Sequence, residues 1–130
     1  MGNRIIPEVK GYTKRDVMGF IRMKLKSNDI WAKKACVSLY EQQTEWEKKN
    51  HISNGHNNVG FDRNDSPLLT GIACRIVKHQ ETIKDIERLK KMIWHYAAQL
   101  VCLAQAKDGC KSLRKHLDFY YKDVKKNIPY

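Results

Sequence analysis

Apolar residues recur along this chain at intervals of three and four, in five separate runs, and no stretch of useful length alternates with the two-residue period of a strand. That spacing puts side chains on one stripe of an α-helix. The expected fold is therefore all-α: a single-domain bundle of about five amphipathic helices spanning residues 1–130, with one modest core.

The first run is Val17, Phe20, Ile21 and Leu25, behind Thr13 and Asp16, which read as an N-cap with an acid three residues on. The second, from Ile30 to about Lys49, sets Ala32, Ala35, Cys36, Leu39, Tyr40, Gln43 and Trp46 on one face. The third starts at Ser66-Pro67, a capping hydroxyl followed by proline at the first helical position, and carries Leu68, Leu69, Ile72, Ala73, Ile76 and Val77. The fourth, about Thr82 to Lys107, is the longest, with Ile86, Leu89, Ile93, Tyr96, Ala97, Leu100, Val101 and Ala104; Asp108-Gly109 ends it. The fifth runs from Lys111 to about Lys126, with Leu113, Leu117, Tyr120, Tyr121 and Val124 on one side. Residues 1–12 read as an irregular lead-in and residues 50–65 as a polar loop, long for a domain of this size.

Charge is distributed unevenly. Residues 1–34 hold nine basic and three acidic side chains, residues 35–106 nine and eight, and residues 107–130 seven and three, so ten of the eleven excess positive charges fall in the terminal segments. A surface of this kind attracts polyanions, nucleic acid first among them. The candidate contacts are Lys14, Arg15, Arg22, Lys24 and Lys26 on the first helix and Lys111, Arg114, Lys115, Lys122 and Lys125 on the last. A merely solvated basic face accounts for the same residues equally well.

Other chemistry is sparse. No phosphate loop, dinucleotide fingerprint, zinc-protease or nucleophile-elbow motif occurs, and the chain is not expected to be an enzyme or to need a cofactor. Cys74 and His79 are five apart, about 500° around a helix, so they do not share a face, and no metal site is expected. Asp62 and Asp65 flank Arg63; such acids hold magnesium in some nucleases, but acids ahead of a helix more often cap it, and capping is the expectation here. Four cysteines without a CxxC pair suggest a reducing, cytoplasmic compartment. No apolar run reaches membrane-spanning length and no signal peptide opens the chain, so no membrane partner is expected. Within the polar loop, Asn57-Asn58-Val59-Gly60-Phe61 is the most specific feature: glycine lets the backbone bend, and the phenyl ring either pins the loop to the core or stacks on a base.

Gln43-Thr44, Asn54-Gly55, Gly60-Phe61, Asp65, Leu69-Thr70, Ala73 and Tyr96-Ala97-x-Gln99-Leu100 together resemble a small helical module of bacteriophage and mobile-element proteins. That module occurs as stand-alone phage proteins and attached to phage-type helicases of the SNF2 class. The likeness covers about residues 12–104. The module's LSxKQ helix start stands here as Glu81-Thr82-Ile83-Lys84-Asp85, and its KY as His95-Tyr96. Carried over by position are Gln43, Thr44, Asn58, Gly60, Phe61, Asp65, Tyr96 and Gln99, of which Gln43 and Gln99 are expected to bond loop backbone groups that would otherwise be buried unpaired. The resemblance implies a phage-encoded accessory protein working on nucleic acid or on a host nucleoprotein complex, without ATPase activity because the motor motifs are absent. The alternative is an inhibitor of a host defence complex of the CRISPR type, or of a transcription complex, acting by protein contact.

Overall fold

Thr13 Oγ1 accepts the Asp16 N–H at 3.0 Å and opens α1 (Lys14–Ser27), whose buried residues are Val17, Phe20, Ile21 and Leu25. Asn28 leaves helical geometry, and its Oδ1 takes the Trp31 N–H at 3.1 Å in the first turn of α2 (Asp29–Asn50). There follow α3 (Ser66–Val77), α4 (Ile83–Met92), α5 (Ala97–Asp108) and α6 (Lys111–Asn127). A single 3-10 turn, Ile93–Tyr96, joins α4 directly to α5, so the expected fourth helix is divided into two α-helices that meet at a tightened waist. These elements belong to a computed structural model that describes the backbone over residues 6–50 and 60–127 and side chains over residues 6–44 and 60–122. The fold is all-α, a single compact domain, with no strand among the described residues.

The 3-10 waist matters for direction. In that geometry residues three apart eclipse each other. Ile93 and Tyr96 accordingly share the buried side, while Trp94 and His95 between them reach the surface. α2 packs against α3, α1 and α4, the 3-10 turn lies on α1, and α6 rests on α5. Leu39, Leu69, Ile72, Leu89, Ile93, Val101 and Leu117 form the centre of the core, each fully buried.

Several sequence expectations are corrected. Ser66 is the first residue of α3 rather than its cap; Asp65 holds the cap position without a side-chain cap bond, and the Ser66 hydroxyl faces the Gln43 amide at 3.3 Å. Val77 is 56% exposed because α3 ends there. Leu100 is half-buried rather than in the core. The lead-in is not idle, since Val9 joins the core and its carbonyl accepts the Tyr12 N–H at 3.0 Å. Trp46 and Val124 lie outside the described side chains.

α3 and α4 are tied by a device absent from the expected stripes. Thr82 and Asp85 form a reciprocal capping box at the start of α4, and the same Asp85 carboxylate receives Arg75 of α3 through two bonds of 2.8 Å. The Arg75 guanidinium, with help from the Thr82 N–H, holds the Asp85 carboxyl at about 2, below its ordinary 3.8. A depressed carboxylate contributes stability that is present above its unfolded pKa and lost as pH falls through the folded one. Stability from this group is therefore expected to drain away between about pH 4 and pH 2. Arg75 is 41% exposed, so the contribution is discounted to about 1–2 kcal/mol. Denaturant titrations across that range should show the Asp85→Asn variant with a shallower acid dependence than the parent chain; parallel profiles would refute the assignment.

Candidate nucleic-acid interface

The polar loop re-enters the body at Gly60, and three side chains from two distant helical segments receive it. Gln99 of α5 makes two bonds to Gly60, its Oε1 accepting the N–H at 2.9 Å and its Nε2 donating to the carbonyl at 2.8 Å. Gln43 Oε1 of α2 accepts the Phe61 N–H at 2.9 Å. The Tyr96 hydroxyl accepts the Asp62 N–H at 2.9 Å and donates to Asp65 Oδ2 at 2.7 Å. Desolvation, reinforced by the Asp65 carboxylate, pushes the Tyr96 phenol well above its ordinary range, so it stays protonated and keeps donating. Phe61 is 1% exposed and meets the Tyr96 ring edge-on, centroids 5.9 Å apart.

The seven described positions of the resemblance thus divide by role. Gln43, Gly60, Phe61, Asp65, Tyr96 and Gln99 converge on one brace. Thr44 is apart from it, its hydroxyl donating to the Tyr40 carbonyl in its own helix at 2.9 Å. Asn58 lies outside the described residues. A buried Phe61 has no face to offer a base, so of its two readings the structure keeps the core pin. Asp65 binds Tyr96 and neither caps α3 through its side chain nor joins Asp62 in a metal-binding group; no cluster of three or more metal-ligating side chains occurs among the described residues. The four cysteines are free, and burial pushes the Cys36 thiol up to about 12, away from reactivity.

The cationic residues are placed by α6. Its aromatic edge lies on the start of α1: Tyr121 against Tyr12 at 5.4 Å, Tyr120 against Phe20 at 5.1 Å, and the Tyr12 hydroxyl donates to Asp118. Segments more than one hundred residues apart in sequence are thereby neighbours. Lys10, Arg114 and Lys122 line a groove of about 450 Å³ there, together with the acids Asp16 and Asp118. Those two acids temper the groove, so its charge is lower than the segment totals suggest.

Lys14, Arg15, Arg22 and Lys26 of α1 are exposed, as are Lys111, Arg114, Lys115 and Lys122 of α6. Arg15, Arg22 and Lys26 stand seven and four residues apart, within an arc of about 40° on a helix, and form a stripe about 16 Å long opposite the buried face. Lys24 departs from that stripe; it is half-buried, its ammonium 5.9 Å from the Phe20 ring and 6.0 Å from Trp31. The side chain of Lys125 lies outside the described residues. The ion pairs among the described residues are Lys33–Glu81, Arg75–Asp85 and Lys90–Asp29, and none involves these candidate cations.

Sequence reasoning missed Arg75–Asp85 and the pairing of Lys26 with Trp94, whose ring centroid lies 4.3 Å from the ammonium. The Thr82-Asp85 spacing was a usable signal for the capping box; nothing local marks the partners Arg75 or Lys26. No described helix is long and apolar enough to cross a membrane. Comparison with family models, with curated proteins and with solved structures finds no match.

Proposed function

We propose that this chain is a non-enzymatic, phage-type accessory protein that binds nucleic acid through the cationic stripe of α1 and the basic face of α6. The observation that carries this reading is the α1–α6 contact: the tyrosine edge of α6 gathers the two charge-rich segments onto adjoining helices, with Arg15, Arg22 and Lys26 aligned and outside any ion pair among the described residues. Phosphate contacts of this type position a polyanion without reading its bases. The brace at Gly60–Phe61 is the scaffold behind them, not a contact surface.

Contact with about six phosphates should make log K fall with log salt at a slope of about −5 on duplex DNA. Arg15→Gln with Arg22→Gln should reduce that slope by about two and leave stability within about 0.5 kcal/mol. Anisotropy titrations at several salt concentrations, beside thermal melts, read both. Binding that ignores salt, or no binding in dilute salt, sinks the proposal.

One observation favours the alternative, an inhibitor acting by protein contact. Phe119 is 76% exposed on α6, between Lys115 and Lys122 in the helical pattern, and large rings of this kind anchor protein interfaces. A host complex retained after nuclease treatment and released by Phe119→Ala would select that reading.

A further inference from the structure

Trp94 belongs to no apolar stripe, yet its surroundings are specific. A cavity of about 470 Å³ is lined by Lys26 at the end of α1, by Glu87, Lys90 and Lys91 of α4, and by Trp94 itself. The 3-10 waist turns the indole toward it, because Ile93 and Tyr96 occupy the buried side. The indole N–H donates to the Lys91 carbonyl at 3.0 Å, which sets the ring's orientation. His95 stacks on the indole, centroids 3.7 Å apart at 29°. The Lys26 ammonium stands 4.3 Å from the indole centroid. Lys90 is held by Asp29 at 2.8 Å, whereas Lys26 and Lys91 enter no ion pair among the described residues.

An indole oriented through its N–H, backed by an imidazole and covered by the tip of an exposed lysine is a stacking platform. We propose that Trp94 stacks an unpaired base of single-stranded nucleic acid, with Lys26 and Lys91 on the phosphates beside that nucleotide. Every base has a π-face, and cations next to an aromatic ring suit a strand whose bases are free. Lys26 swings from the ring to a phosphate, so a cation–π contact is exchanged for base stacking and a charge-assisted hydrogen bond. Arg15, Arg22 and Lys26 form one stripe along α1, so a backbone following that stripe arrives at the indole. A duplex keeps its base faces in its own stack and gains nothing from Trp94. This inference rests on the polyanion reading above and narrows it to unpaired strands.

The full chain is titrated with labelled oligothymidylate, oligouridylate and a mixed-sequence duplex, following anisotropy and tryptophan emission. Either single-stranded oligomer should bind more tightly than the duplex and quench emission in the parent chain; the thymidylate and uridylate arms distinguish DNA from RNA. Trp94→Leu should lose about tenfold in single-strand affinity with the salt slope unchanged, and Trp94→Phe, which preserves a ring, should retain most of the affinity while losing the quench. Equal single-strand affinity for Trp94→Leu and the parent, or preference for the duplex, overturns base stacking but leaves the cationic stripe standing, because the salt slope persists. Failure of every nucleic acid to bind in dilute salt overturns both.

Discussion

Phe61→Ala is expected to lower the unfolding free energy by about 3–5 kcal/mol, the range for deleting a buried phenyl ring. The ring is 1% exposed and packs edge-on against Tyr96, so its removal leaves a cavity that neighbouring helices cannot readily close. A second loss follows from the first. The Phe61 N–H is bonded to Gln43 and the neighbouring Gly60 and Asp62 backbone to Gln99 and Tyr96; if the unpinned loop drifts, these side chains are left buried with unmet bonds. Phe61→Leu, which refills most of the volume, should recover much of the deficit. Urea unfolding of the three proteins separates the cases, and a loss below about 1 kcal/mol for Phe61→Ala would mean that the loop is not pinned by this ring.

Gly60→Ala is expected to cost about 2–4 kcal/mol although it adds one methyl group. Its backbone has φ +80, which L side chains rarely adopt. A Cβ built there would lie 2.4 Å from Gln43 Cβ and 2.8 Å from Gln43 Oε1. The first of these atoms is fixed to the α2 backbone and cannot swing aside, so loop or helix must move. The second is the acceptor of the Phe61 N–H, so the same displacement weakens the brace. Gly109→Ala is the matched control: its φ is also positive, at +65, but nothing lies within 4 Å of the added carbon. Calorimetry should show Gly60→Ala melting well below Gly109→Ala; equal melting would mean that φ strain alone acts and close approach to Gln43 contributes nothing.

The helices were legible because their signals are local. Val17, Phe20, Ile21 and Leu25 are buried together as their spacing requires, and Thr13 caps α1 as its sequence suggests. Ser66 misled because its hydroxyl has an alternative partner, Gln43, more than twenty residues away, which no window around Ser66 contains. Trp94 was illegible for a related reason: it lies off the apolar stripe, which is buried both before and after the 3-10 turn, and what marks it, the Lys26 ammonium over its ring, comes from α1, far outside any window around Trp94.

Spacing of apolar residues was enough for the number of helical rods and their inward faces, and simple counting placed the surplus charge in the terminal segments. Which rods would touch was beyond that reach. The seating of α6 on α1 through Tyr12, Phe20, Tyr120 and Tyr121 and the closure of Gln43, Tyr96 and Gln99 around Gly60 join groups remote in the chain, and the clasp of Arg75 on Asp85, ten residues on, depends on how α3 and α4 lie against each other. The physical reason is that a helix face is set by interactions within a few turns, whereas its partner is chosen by surface fit and by the need of each buried polar group for a bond, conditions met only when the whole chain has closed on itself.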